Sequence, residues 1–442
     1  MIKTISDFCW NDNTHGIKFA KMPTRICLMI IGRCFEKAVV KKNKKDESAM
    51  MSALLTILLL ALIYLEPLHA EPQEIPIGLI TEEQGDHIPL SLLQPVIEDI
   101  GEAGALQGIQ DNNTTGRFTG QSFTLRVEKV KADEPVIQAF RKLHQQSIRL
   151  FLVNLPAEKL LQIADETDAK TSLLFNIGAT DDNLRQHECR ANLFHTIPSR
   201  AMLTDALAQY LAWKRWTEWF LVIGRHPRDK AYAEALKRAA KRFGHKIVEQ
   251  KQWTFEPGAR RTDSGHNREQ QVVNEFSQVS DYDILIVADE SNEFGEFLTY
   301  RTYRPRPVGG TQGLSPAAWS GVHEQWGATQ FQRRFNEQHD RWMTDRDFSA
   351  WLAVRSIGEA ATRTSSGEVN ILKSYMQGPE FNLAAFKGRP VSYRDWSNQL
   401  RQPLLITSAK LMISVSPQTG FLHQFTTLDT LGYDRPESRC KK

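Results

Sequence analysis

The chain has 442 residues, with 41% hydrophobic and 24% charged side chains and a formal net charge of only +3. That balance is the one expected of a globular chain able to bury a large core in about two to three domains, and it gives no support to nucleic-acid binding. Part of the small basic excess sits in one N-terminal cluster, Lys41–Lys45.

The cluster precedes an apolar run, Ser52–Leu65, which ends in Glu66, Pro67, Leu68, His69 and Ala70 before the chain turns polar at Glu71. A basic region, a short apolar core and a small residue before the cut describe a secretory signal peptide, so residues 50–70 are read as its core and cleavage region. A membrane anchor is the alternative, but the run is shorter than the ~20 residues a spanning helix needs. The mature chain is therefore expected to begin near Glu71 in the periplasm, with no stable membrane insertion. Residues 1–49 are expected to be an unfolded extension or a mis-assigned start. Of the five cysteines, Cys189 and Cys440 survive cleavage. An even pair in an exported chain favours a disulfide, with two free buried thiols as the alternative.

From Ile75 the pattern alternates between strand and helix. Ile75–Ile80 predicts the first strand, Thr81–Pro95 a long loop, and Asp99–Gln110 a helix weakened by three glycines. Asp111–Arg117 is dense in turn formers, and Phe123–Val130 predicts the next strand. A helix over Pro135–Ile148, a strand at Leu150–Leu155, a helix over Ala157–Ala169 and a strand at Leu173–Phe175 continue the rhythm. Strands apolar on both faces and separated by helices imply a parallel sheet covered on both sides.

Around Thr171–Ser199 the chain is expected to cross to a second set of β/α units near Pro198. Helices at Ala201–Lys214 and Asp229–Phe243 and strands at Trp219–Ile223, Ile247–Trp253, Ile284–Ala288 and Arg306–Gly310 follow. Gly309–Gly313 suits a return crossover. Trp319–Asp340, Phe348–Thr362 and Glu368–Met376 read as helices, and Pro403–Val415 with Phe421–Phe425 as terminal strands.

Catalytic signatures are missing: the sequence has no C-x-x-C, H-E-x-x-H, G-x-S-x-G, Walker A or G-x-G-x-x-G pattern. His187, Glu188, Cys189 and His195 match no standard metal spacing, and no cofactor is expected.

Two α/β halves behind a signal peptide resemble the type I periplasmic binding fold, in the branched-chain amino-acid receptor group of ABC transporter components. Within that group the chain is most similar to the subfamily associated with PQQ-dependent alcohol oxidation. Asp111–Phe118, Tyr282–Glu290, Arg304–Leu314, Asp347–Ala360 and the tail from Asp429 to Cys440 carry the resemblance. It implies two lobes, 71–197 with 312–380 and 198–311 with 381–442, joined by three crossovers and closing on a ligand. It further implies a non-enzymatic role, a small-molecule solute, and permease and ATPase subunits as partners. A ligand sensor is the alternative, and an enzyme on an open α/β sheet a third reading.

In amino-acid receptors of the group, the segments matching Asn176–Thr180 and His195–Thr196 hold the ligand's carboxylate and amino groups. This chain departs from their Ser/Ala/Thr-rich pattern at Asn176 and Gly178. Asn176, Ala179, Thr180 and Thr196 are the candidate ligand-binding residues on one wall of a cleft, and Arg225, Asp289 and Glu290 those on the other. Asp289 and Glu290 have a second reading as caps of the following helix.

Overall fold

The computed structural model describes residues 72–83, 96–166, 171–254 and 272–441. The loop expected at Thr81–Pro95 falls mostly outside these residues, as do the expected N-terminal extension and signal peptide.

Five parallel strands form the first sheet: β1 (Gln73–Glu82), β2 (Gln121–Val130), β3 (Leu150–Asn154), β4 (Leu173–Asn176) and β5 (Leu193–His195), in the order β2-β1-β3-β4-β5. Its central strands are buried along their whole length, which is why their sequences are continuous apolar runs. Helices α1 (Glu102–Thr119), α2 (Val136–Gln145) and α3 (Ala157–Glu166) connect them.

After the crossover come α4 (Arg200–Lys214), β6 (Glu218–Ile223), α5 (Pro227–Phe243), β7 (Lys246–Gln252), β8 (Ile284–Ala288), the short α6 (Gly295–Leu298) and β9 (Val308–Gly310). These four strands are parallel in the order β7-β6-β8-β9. Strand β10 (Ser315–Ala317) follows, then α7 (Ala328–His339), α8 (Asp345–Thr364), α9 (Val369–Gln377), the short pair β11 (Ser392–Tyr393) and β12 (Leu400–Arg401), and the hairpin β13 (Leu404–Ser408) and β14 (Leu411–Ser416).

Each sheet separates two hydrophobic cores. The first core draws on β1, β3 and β4 and on α1, α7, α8 and α9, and includes Phe381, Tyr393 and Leu400. Leu404, Ile406 and Leu431 belong instead to the core between the second sheet and helices α4 and α5. Core packing therefore changes hands between Leu400 and Leu404, later than the expected boundary at 380.

Three local expectations need correction. Asp111–Arg117 is not a turn but the second half of α1. Asn112 donates to the Val354 carbonyl at 2.8 Å, and Asn113 exchanges hydrogen bonds with the Phe123 backbone at 2.8 and 2.9 Å. The backbone-seeking groups that favour turns here find partners on other elements. Trp319–Asp340 is helical only from Ala328. Trp319 stacks on Phe348 with centroids 4.3 Å apart, and Gly327 takes a φ of 83°, so packing draws the preceding segment out of the helix. Phe421–Phe425 is not a strand, because β13 already pairs with β14 inside the stretch Pro403–Val415.

Cys189 and Cys440 are joined in a disulfide across a sequence separation of 251 residues. Closing so long a loop in the unfolded chain stabilises the fold by about 2–5 kcal/mol.

Candidate functional site

In both sheets the strand order reverses beside the first strand of the set, between β1 and β3 and between β6 and β8. The crevice outside the carboxyl ends at such a reversal is where open α/β sheets bind ligands. The loops after β4, β6 and β8 and the first turns of α4, α5 and α8 gather there.

The predicted residues of the first wall mostly build the loop itself. Asn176 is fully buried; its Oδ1 accepts the Gly178 and Ala179 N–H groups at 3.2 and 2.8 Å, and its Nδ2 donates to the Ala179 carbonyl at 2.7 Å. Thr196 is also fully buried, with its hydroxyl donating to the Asn176 carbonyl at 3.3 Å. Ala179 is nearly buried. Thr180 is half-buried, and its carbonyl accepts the Arg200 N–H at 2.9 Å.

On the second wall, Asp289 is 1% exposed and takes up the reading of a helix cap. Its carboxylate accepts the N–H groups of Glu293, Phe294 and Gly295 at 2.7–3.0 Å and the Ser291 hydroxyl at 3.0 Å. Arg225 is exposed and pairs with Glu293 at 3.2 Å. Glu290 accepts from Arg200 Nε at 2.9 Å and Nη2 at 2.7 Å, while Arg200 Nη1 reaches Asp181 at 2.9 Å. Arg200 thus ties a loop of the first sheet to a loop of the second. Burial opposes its charge, but the hydrogen bonds and charges of Glu290 and Asp181 outweigh that and hold the guanidinium above its ordinary range. Burial pushes the Glu290 carboxyl up.

Several central residues escape a pattern-based reading. Arg185, 4% exposed, donates to the Ala179, Asp181 and Ile197 carbonyls and to Gln399 Oε1, all at 2.9–3.0 Å, and burial lowers its guanidinium to about 10. Gln399 and Gln402 donate to the carbonyls of His195, Thr196 and Ile197, stitching the first crossover to the last. Arg200 carried one signal: a cation in the first turn of a helix opposes the helix dipole, so it needs a partner elsewhere.

Lys387 lies at the same junction, 1% exposed, donating to Gln402 Oε1 at 2.7 Å and to the Pro403 carbonyl at 3.0 Å. Burial lowers it from its ordinary 10.5 to about 7, while burial raises nearby Asp345 to about 6. Between roughly pH 7 and 10.5 the unfolded chain holds the lysine proton more tightly than the folded one, so stability rises with pH across that window. Denaturant unfolding over this range should show the rise in the parent and lose it in Lys387→Met. A rise of equal size in both would assign it to other groups.

Together these features are those of the two-lobed type I periplasmic binding protein fold. No protein-family model matches the chain, and no curated protein is significantly similar to it. Solved structures are. A periplasmic binding protein from Burkholderia mallei superimposes with a TM-score of 0.60 at 14% identity, over 83% of this chain and 98% of that one. A branched-chain amino-acid ABC transporter periplasmic ligand-binding protein from Burkholderia xenovorans gives 0.60 at 14% identity over 77% and 95%. An ABC transporter substrate-binding protein from Desulfitobacterium hafniense, in complex with leucine, gives 0.60 at 14% identity over 77% and 99%.

Proposed function

We propose that this protein is an exported, non-enzymatic receptor that captures a small solute between its lobes and delivers it to an ABC permease with its ATPase. The observation that carries the reading is the convergence of loops from the carboxyl edges of two parallel sheets, tied through Arg200 and flanked by the crossovers. The solved structures of this fold described above are binding proteins, which supports the same reading. Asn176, Ala179, Thr180, Thr196, Arg225, Asp289 and Glu290 shape the walls of the cleft. A link to PQQ-dependent alcohol oxidation rests on the sequence resemblance alone; a transcript level unchanged between growth on an alcohol and on succinate would remove it.

A thermal-shift screen of small solutes, followed by X-ray scattering with each hit, tests the receptor reading. The expected result is a hit that raises the unfolding temperature, as mass action requires, and shrinks the radius of gyration. A hit that is chemically turned over, or binding without compaction, would sink it. The export reading expects periplasmic material to begin near Glu71, and an intact mass retaining residues 1–70 would contradict it.

A further inference from the structure

The four strands of the second sheet are parallel, so the segments that lead into them lie along one amino edge, on the far side of the sheet from the carboxyl ends and the cleft. Helix α4 ends at Lys214 just before β6, and α5 ends at Phe243 just before β7. Residues 281–283 lead into β8, and residues 300–307 into β9. The acids of these lead-in segments are engaged within the protein. Asp281 holds Arg306 at 3.0 Å and Arg304 at 3.7 Å, Asp283 accepts the Thr217 and Glu218 N–H groups at 2.8 and 2.9 Å, and Glu218 pairs with Lys246 at 3.6 Å. Four cations are left over: Lys214, Arg215, Lys241 and Arg301 are exposed and make no ion pair among the described residues. Against them stands one exposed acid without an ion pair, Glu275, shortly before Asp281.

Apolar side chains project among these cations. Trp213, Tyr300, Tyr303 and Leu422 are all exposed, Leu422 to 85%. Lys214 Nζ lies 4.8 Å from the Trp213 ring centre, and the Arg304 guanidinium 6.0 Å from that of Tyr303. Phe421 packs edge-on against Phe243 at 5.5 Å, which brings its neighbour Leu422 to the same edge. The segment carrying the two tyrosines is anchored: the Tyr303 N–H donates to the buried Ser277 hydroxyl at 2.8 Å, and Arg304 Nε donates to the Val279 carbonyl at 3.4 Å. Single exposed apolar residues need no explanation, but three aromatic rings and a leucine along one edge, interleaved with unpaired cations, form a surface of one character.

We propose that this amino edge of the second sheet rests on an anionic lipid surface. Trp and Tyr settle at the headgroup level, where the ring is in an apolar layer and its polar tip stays wet, while Lys and Arg stems reach past them to the headgroups. Four uncommitted cations fall within the range, about four to eight, at which basic clusters recognise anionic lipid. Lys214 and Lys241 also complement the carboxyl ends of α4 and α5, but Arg301 lies on no helix and the exposed rings have no such role. An acidic protein is the competing occupant. Protein interfaces are poor in lysine, and here two of the four free cations are lysines, strung along an edge instead of ringing a pocket. A chain held this way keeps its carboxyl edges, and any cleft between them, turned from the lipid and open to solution.

The test uses residues 71–442, a compact unit by themselves, in co-sedimentation with vesicles of phosphatidylcholine alone and of phosphatidylcholine with one quarter phosphatidylglycerol. The expected result is pelleting with the anionic vesicles only, and less of it at high salt as screening requires. Arg301→Gln should weaken it about fivefold, and Lys214→Gln combined with Arg215→Gln about 10–30-fold. Trp213→Ala should weaken it at unchanged charge. Removing two exposed cations from α2 of the first sheet, Arg141→Gln with Lys142→Gln, should leave it as in the parent. All these positions are exposed, so each variant should unfold with the parent. No pelleting with anionic vesicles, or equal losses in the α2 control, would overturn the proposal, as would pelleting that none of the edge substitutions weakens. Binding to poly-glutamate without binding to vesicles would overturn it too, and would give the edge to an acidic protein.

Discussion

Gly104→Ala should destabilise the protein by about 2–4 kcal/mol, because an added methyl group has nowhere to go. A Cβ at this position would lie 1.9 Å from the Asp347 carbonyl oxygen and 2.5 Å from its Cα, so it meets backbone rather than a side chain able to rotate away. Helices α1 and α8 cross here at the closest distance glycine allows. Gly108 faces Val354 and Gly358 faces Asn112 along the same seam, with Cβ positions 2.8 and 2.1 Å from the nearest atoms. The gain in helix propensity from alanine, about 1 kcal/mol, is too small to offset separation of the pair. Parting them would also strain the Gly101–Asp347 and Asn112–Val354 hydrogen bonds and move the first turn of α8. Urea unfolding of Gly104→Ala beside Gly367→Ala checks the argument. Gly367 faces the movable end of the Gln73 side chain at 3.2 Å, so its variant should stay within about 1 kcal/mol of the parent. Equal midpoints for the two variants would show that the seam can open freely.

Arg185→Leu is the second substitution with a large expected effect, about 2–4 kcal/mol, and its cause is polar rather than steric. The guanidinium is buried where it satisfies three carbonyls and one amide oxygen arrayed around it. Burial disfavours its charge, which limits the net gain from those bonds, but leucine would leave Gln399 Oε1 and the Asp181 carbonyl without the donor they have here and strip one donor each from the Ala179 and Ile197 carbonyls. Arg185→Lys should recover little, since one ammonium cannot span the same fork of acceptors. Because two of those carbonyls belong to Ala179 and Asp181, the loop at the cleft should loosen as well, seen as faster hydrogen exchange of its amides. A lysine variant as stable as the parent, with unchanged exchange, would assign Arg185 a lesser part.

The α/β alternation was readable because strands covered on both faces must be apolar throughout. Leu150–Asn154 and Ile284–Ala288 are nearly unmistakable for that reason. Open α/β sheets bind ligands outside the carboxyl ends of such strands, and that rule, with chain order, is what singled out Thr180 and Glu290 as candidates. What the side chains do there was decided only in three dimensions. Asn176 finds Gly178 and Ala179 in its own loop and His195 on the neighbouring strand, but Arg185 meets Gln399 across 214 residues and Arg200 meets Glu290 across 90. No local pattern records such pairings. The same holds for Asp111–Arg117: a turn by local preference becomes helix because Val354 and Phe123 supply distant partners for Asn112 and Asn113. By itself, then, the sequence determined which segments are strands and helices wherever burial imposes a period. Only the tertiary structure decided which charges are matched, because matching depends on distances between residues far apart in the chain.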